Sequence, residues 1–199
     1  ICLVQCYYIL EVCLFAIFCL CTETATTELY TLSLHDALPI FGSHFTHIVG
    51  MAEKLKANGA SGVVMFNRFY EPDIDLDALE IRASEVFSSP AELRHTLRWI
   101  GLVSSQVSSL DIAATTGIHD SQAVIKLLLA GATVTQLCSA LYLHGTAVIP
   151  SILEGLTAFM KKWNFRSIAD FRGRLSYAKI GDPMVYERSQ FMKYYSSRK

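Results

Sequence analysis

The chain has 199 residues, with 17 Lys and Arg against 18 Asp and Glu, and 52% of its side chains are apolar. A formal charge of −1 without a basic cluster excludes the electrostatic footprint that nucleic-acid binding requires. These averages conceal two unlike pieces. All 17 Lys and Arg and 14 of the 18 acidic residues lie after residue 40, so the later part carries about +3. Cys2, Cys6, Cys13, Cys19 and Cys21 crowd the first 21 residues and only Cys138 follows. The later part therefore offers neither a disulfide framework nor a cysteine metal site, and its single thiol suits a reducing cytoplasm.

Residues 1–21 are long and apolar enough for a membrane span, which takes roughly 20 residues. They lack a positively charged start, an initiating Met and a small-residue cleavage site, and Glu11 sits mid-run at about 3 kcal/mol. Residues 24–40 (TATTELYTLSLHDALPI) resemble the in-frame translation of a short-read sequencing adapter, with Leu29 where the adapter gives Ile, a single-base change. Residues 1–40 are accordingly expected to be a non-native leader, disordered or a spurious helix, and residues 41–199 to be the protein proper. Were the leader genuine, the rival would be a single-span membrane protein with a cytoplasmic α/β domain.

From Phe41 on, helix and strand signals alternate. Ile48, Met51, Ala52 and Leu55 recur at helical spacing within His47–Ala57, and Asn58-Gly59 provide a stop. Gly62–Phe66 (GVVMF) is the continuous apolar run of a strand buried on both faces. Ser108–Ala114 is a second strand candidate, entering the turn TTGIHD. Asp120 can cap a helix running to Ala130, Gly131 ends it, and Thr133–Leu137 (TVTQL) reads as strand. The segments ANGASGVVMFN and LAGATVTQLCS thus repeat one helix, turn and strand grammar, the βα unit of a parallel sheet. Thr146–Trp163 predicts a long amphipathic helix with Ile149, Ile152, Leu153, Leu156, Phe159 and Met160 on one face, and a polar tail is expected to wrap the outside. An open doubly wound sheet and a (β/α)₈ barrel both fit this order. About 159 residues fall short of the roughly 250 of a complete barrel, so a barrel would be truncated at its N-terminus.

In parallel α/β folds, ligands sit at the carboxyl ends of strands. Here those ends carry Asn67-Arg68, Thr115-Thr116-Gly117 and Cys138-Ser139-Ala140. Small residues and Gly117 let backbone N–H groups approach a phosphate, and the helix after Asp120 directs its positive end to the same place. Asn67 offers an amide suited to the edge of a planar polar ring.

The runs GASGVVMFNRFYEPDIDLD, LRWIGLVS, ATTGIHDSQAVIKLLLAGATVTQLCSALY and RSIADFRGRLSY resemble the dihydroorotate dehydrogenase family, most closely its dihydroorotate dehydrogenase-like branch. The resemblance implies the C-terminal half of a (β/α)₈ TIM barrel that holds FMN and oxidises dihydroorotate to orotate in pyrimidine biosynthesis. It further implies a small-molecule pyrimidine substrate, a homodimer at full length, and a cytoplasmic location with no membrane or nucleic-acid partner. Residue by residue it places Asn67 on the pyrimidine ring, Phe66 against the flavin and Ser89 at the flavin lining. Thr116-Gly117 and Cys138-Ser139 fall at the FMN phosphate. Thr116 and Cys138 stand where the family has glycines, and Arg68 where it has a small polar residue. The lysine beside the flavin and the Cys or Ser general base that the family uses have no counterpart in residues 1–40, so no catalytic residue is assigned and the chain as written is expected to be inactive. The alternatives are another pyrimidine-oxidising flavoprotein, such as the FMN domain of dihydropyrimidine dehydrogenase, and a non-catalytic barrel remnant that binds a phosphorylated ligand.

Other polar residues have plainer readings. His44, His47, His95, His119 and His144 lack metal-ligand spacing, and His119 is expected to be solvated. Asp73, Asp75 and Asp77 lack the glycine and glutamate of an EF-hand and predict a surface turn. Trp99 and Trp163 are expected to pack in the core or between helices.

Overall fold

The computed structural model describes residues 38–68 and 71–187. Nearly all of the expected leader, residues 1–37, lies outside the described residues. The sheet is parallel and four-stranded, in the order β1 (Ile40–Phe41), β2 (Gly62–Met65), β5 (Asp111–Ala114), β6 (Val134–Thr135). β1 straddles the expected boundary at residue 40, pairing Ile40 with Val64 and Phe41 with Met65. β2 is buried at all four positions, as its unbroken apolar run requires of a parallel strand covered on both faces. Its register sets Gly62 against Asp111 and Met65 against Ala114, and β6 continues the sheet by pairing Ala113 with Val134.

The crossovers are helices α1 (Ile48–Ala57), α2 (Leu93–Gln106) and α3 (Ser121–Ala130), followed by α4 (Ser139–His144), α5 (Val148–Trp163) and α6 (Met184–Glu187). Ile48, Ile100, Val103, Val124, Leu127 and Ile152 are at most 1% exposed and meet Val63, Met65 and Ile112 of the sheet in one core. Burying each such side chain is worth about 1.5–3 kcal/mol. The architecture is therefore mixed α/β around a parallel sheet.

The repeat seen in the sequence is a repeat in space. In the first copy Gly59 has φ 97° and the Ala60 N–H donates to Leu55 O at 3.1 Å. In the second, Gly131 has φ 121° and the Ala132 N–H donates to Leu127 O at 3.0 Å. Both are Schellman-type endings with glycine in the left-handed region, and each drives a buried alanine under the helix end. α3 begins as expected, with Asp120 Oδ1 accepting from the Ala123 N–H at 2.7 Å, a cap worth about 1 kcal/mol.

One feature extends the sequence expectations, the expected surface turn being the tip of a hairpin, and two depart from them. The carboxylate-rich stretch is a hairpin of β3 (Pro72–Asp75) and β4 (Glu80–Ala83), with Asp75 Oδ1 accepting the Asp77 and Ala78 N–H groups to close its turn. Trp163 is 59% exposed, because α5 ends there and its buried stripe runs through Ile152 and Leu156 instead. The tail does not merely wrap the outside. Phe171 is fully buried and stacks on Phe165 with Phe159 edge-on, the centroids 5.3 and 5.4 Å away. Farther along, Tyr186 of α6 lies so close to Gly101 of α2 that a Cβ there would fall 2.3 Å from its ring. Among the described residues no helix is long and apolar enough to cross a membrane.

Candidate functional site

The carboxyl ends of β2 and β5 open onto a cleft of about 280 Å³. Phe66, Asn67 and Arg68 from the β2 end, Thr116 from the β5 end, Glu92, His95 and Thr96 from the start of α2, and Ser43 and His44 line it. Phe66 is buried, its ring edge-on to Phe41 at 5.6 Å and tilted against His95 at 5.5 Å. It thereby fixes the floor, while Asn67 stands exposed at the mouth with its N–H donating to Phe41 O at 3.1 Å. The Met65–Phe66 peptide bond between strand and cleft is cis.

The β5 end is shaped by a tight reversal. Thr116 and Gly117 both lie in the left-handed region, φ 75° and 79°. A Cβ at Gly117 would sit 2.4 Å from Leu93 N, so only glycine fits beneath α2. Thr116 tolerates its conformation because its Oγ1 donates to Phe66 O at 3.2 Å, tying the β5 turn to the β2 floor.

Arg68 and Glu92 of the cleft are committed to each other, and Glu71 also lines it. Arg68 Nε donates to Glu92 Oε2 at 3.0 Å, and its Nη1 donates to Glu85 O and Val86 O at 2.6 and 2.9 Å. Burial pushes the Glu92 carboxyl up, but the Ser89 N–H and the Arg68 guanidinium outweigh it and hold the group below its usual range. Burial, helped by Arg98 and His44, pulls the His95 imidazole below its ordinary value. His95 is therefore neutral at pH 7 and can accept or donate one hydrogen bond to a polar ring.

A second cluster lies at the β6 end. Ser88, 8% exposed, puts its Oγ 3.3 Å from the Gly117 N–H, 3.0 Å from Ser139 Oγ and 3.3 Å from His119 Nε2. The Ser88 N–H also donates to Ser139 Oγ at 2.9 Å.

Of the residues the sequence singled out, Phe66, Asn67 and Thr116 meet in the cleft. Gly117 and Ser139 meet through Ser88. Ser89 instead starts a 3₁₀ turn, exchanging hydrogen bonds with Glu92 in a capping box. Cys138 is exposed, and partial desolvation pushes its thiol up, which makes it a poor nucleophile. His119, expected to be solvated, is half-buried against Ser88, because the crossing segment before α2 covers it. Ser88, Glu92 and His95 were missed. The Ser-x-x-Glu spacing of Ser89 and Glu92 ahead of an apolar run was the one signal that could have found this helix start. No group of three or more His, Cys, Asp or Glu among the described residues could hold a metal ion.

Of the groups that a flavin phosphate would meet, the Gly117 N–H donates to Ser88 Oγ, whereas the Ser139 hydroxyl accepts from the Ser88 hydroxyl and N–H. Both are already engaged by Ser88 Oγ, and the cleft lies at or below the lower end of ligand-pocket volumes, roughly 300–1,000 Å³. In this arrangement the residues present do not fit FMN.

No family model matches the chain. Over 128 residues it is 31% identical to dihydroorotate dehydrogenase A (fumarate) of Limosilactobacillus reuteri, covering 63% of this chain and 41% of that protein. It is 39% identical over 66 residues to dihydroorotate dehydrogenase A (fumarate) of Lactococcus lactis, covering 33% of this chain and 21% of that protein. It is 30% identical over 132 residues to the catalytic subunit of dihydroorotate dehydrogenase B (NAD(+)) of Anoxybacillus flavithermus, covering 65% and 42%. Part of the chain is thus related to dihydroorotate dehydrogenases, and it spans about two fifths of the length of the first of these relatives.

Proposed function

We propose that the chain is part of a dihydroorotate dehydrogenase-like oxidoreductase, its parallel sheet the C-terminal portion of a (β/α)₈ barrel, acting on a small-molecule pyrimidine. One observation carries this reading: Phe66, Asn67 and Thr116, singled out by the resemblance, converge on one cleft at adjacent strand ends. In this proposal Asn67 hydrogen-bonds the polar edge of the pyrimidine from the cleft mouth. Phe66 supplies a flat apolar floor, and neutral His95 adds one further polar contact. Arg68 organises the wall rather than meeting the ligand, since its guanidinium is spent on Glu92 and two carbonyls. Among the described residues neither a lysine nor a cysteine lines the cleft, although Ser43 does, and no proton-removing residue is assigned here. On its own the chain is then expected to bind without turning over. A cytoplasmic homodimer of the complete enzyme belongs to the same proposal.

Titration of orotate and of uracil into the ¹⁵N-labelled 199-residue chain tests it. Orotate should shift the Asn67 side-chain amide and bind at least about tenfold more tightly than uracil, a difference of ~1.4 kcal/mol. Uracil binding as tightly would turn the reading toward a dihydropyrimidine-oxidising flavoprotein. Binding of neither would remove the pyrimidine assignment.

A further inference from the structure

The positive charge of the chain is gathered in one short stretch. Over residues 161–179, Lys161, Lys162, Arg166, Arg172, Arg174 and Lys179 stand against a single acid, Asp170. The stretch carries +5 while the whole chain carries −1, so the rest sums to −6. The six cations are spread too thinly to form a run in the sequence, and the fold gathers them. The Phe165 N–H donates to Met160 O at 2.9 Å, turning the chain back beneath the end of α5. Arg174 then lies over the Phe165 ring at 5.3 Å. Lys179 Nζ comes within 4.0 Å of where a Cβ at Gly173 would stand, between Arg172 and Arg174.

All six residues are exposed, and among the described residues none of them forms an ion pair. Asp170 is spent locally, its Oδ2 accepting the Arg166 and Ser167 N–H groups at 2.7 and 2.8 Å. Lys161 and Lys162 end α5, where the helix dipole favours cations. The other four lie outside every helix, so the dipole does not account for them. Beside the cations stand Trp163 and Leu175, both more than half exposed. The stretch is pinned to the last turn of α3, where the Gly173 N–H donates to Leu128 O and the Leu175 N–H to Leu129 O, both at 2.9 Å. That turn leads into the amino end of β6, so the patch lies at the opposite end of the strands from the cleft.

We propose that this end of the molecule is a peripheral docking surface for an anionic lipid bilayer. The cations meet the headgroups, and Trp163 and Leu175 enter the interfacial layer, the level at which indole rings settle. Screening lets the local charge decide. At physiological salt the Debye length is about 8 Å, so a headgroup meets the +5 of the patch rather than the −1 of the chain. Each Lys or Arg near such a surface is worth about fivefold in affinity. The acidic remainder is repelled, which turns the cleft toward solvent. A nucleic-acid backbone would attract the same cations but offers Leu175 nothing, which favours lipid. The contact is peripheral, since no helix among the described residues crosses a membrane, and it is compatible with the cytoplasmic location proposed above. It does not rest on the pyrimidine reading of the cleft.

Flotation of the 199-residue chain with vesicles tests the proposal. The chain should bind an equal mixture of phosphatidylcholine and phosphatidylserine at least about tenfold more tightly than phosphatidylcholine alone, with a blue shift of Trp163 emission that Trp163→Phe removes. Salt at about 1 M, where the screening length is about 3 Å, should release it. Arg172→Glu with Arg174→Glu should weaken binding about tenfold or more. Arg94→Glu with Lys126→Glu makes the same charge change at exposed positions of α2 and α3 and should leave binding within about twofold. If the first pair does not fold, Lys161→Glu with Lys162→Glu carries the same decision. Absence of binding to the mixed vesicles overturns the proposal. Equal binding to both vesicle types also overturns it and assigns the affinity to the apolar residues 1–21. An equal loss in both variant pairs reduces the effect to overall charge and removes the patch. Displacement by inorganic phosphate at matched ionic strength, or tighter binding to a short DNA duplex than to the mixed vesicles, replaces lipid by a free anion or a nucleic acid and overturns it as well.

Discussion

The two copies of the helix–turn–strand unit share one local design and end in opposite situations. α1–β2 and α3–β6 both close on a left-handed glycine and a buried alanine. Yet the first copy delivers Phe66 and Asn67 to an open cleft, and the second delivers Ser139 to a cluster filled by Ser88. The turn grammar is thus a scaffold property. What the strand end presents is decided by whatever crosses over it, here the segment from β4 to α2. The copies also differ in what stabilises them. The second is backed by the aromatic cluster of Phe159, Phe165 and Phe171.

That difference can be broken most forcefully at Phe171. Truncation to Ala in a fully buried aromatic cluster should cost about 3–5 kcal/mol, read as a fall in the urea midpoint. A loss below about 1 kcal/mol would mean that the layer over α3 repacks and that the second copy does not depend on this cluster. A smaller effect is expected at Gly131→Ala. Its φ of 121° and a Cβ position 2.3 Å from Ser104 Oγ should together cost above about 1 kcal/mol, measured by thermal unfolding. A neutral result would show that the repeated turn tolerates a right-handed alternative. The smallest effect sharpens the other side of the comparison. The pKa of His95 is depressed in the fold, so its contribution to stability is complete above 6.5 and is lost as pH falls through the lower folded value. His95→Phe should flatten the stability profile in that window. A variant that tracks the unsubstituted chain between pH 7 and 5 would place the imidazole in solvent.

These contrasts track what was legible beforehand. The α3 start and stop were readable because Asp120 and Gly131 act on their own neighbours, and β2 because an unbroken apolar run has few alternatives. α2 escaped notice because Trp99, Ile100, Leu102 and Val103 read as a run, and only Leu93, Thr96, Ile100 and Val103 give it helical period. The hairpin escaped because both its faces are wet. Ile74 and Ile81 pair across it at 63% and 79% exposure, so no in–out alternation was there to find. Asn67 and Thr116 were singled out by the strand-end rule and by family likeness, and Phe66 by family likeness alone. Ser88 could not be, because its role is made by contacts to Gly117, His119 and Ser139, none of them a sequence neighbour.

That remoteness has a kinetic consequence. The bond joining the cleft floor to its turn spans 50 residues, from Thr116 to Phe66, and the one holding Ser88 against Ser139 spans 51. Closing a loop carries an entropy that grows only with the logarithm of its length, but it must be met before the contact rewards it, which makes such pairings late events. The helix endings that define the repeat span five residues or fewer and need no such closure. The chain is therefore expected to write its scaffold early and locally, and its strand-end contacts last. A pulse-labelling experiment would find the Gly131 and Ala132 amides protected well before those of Gly117 and Ser88.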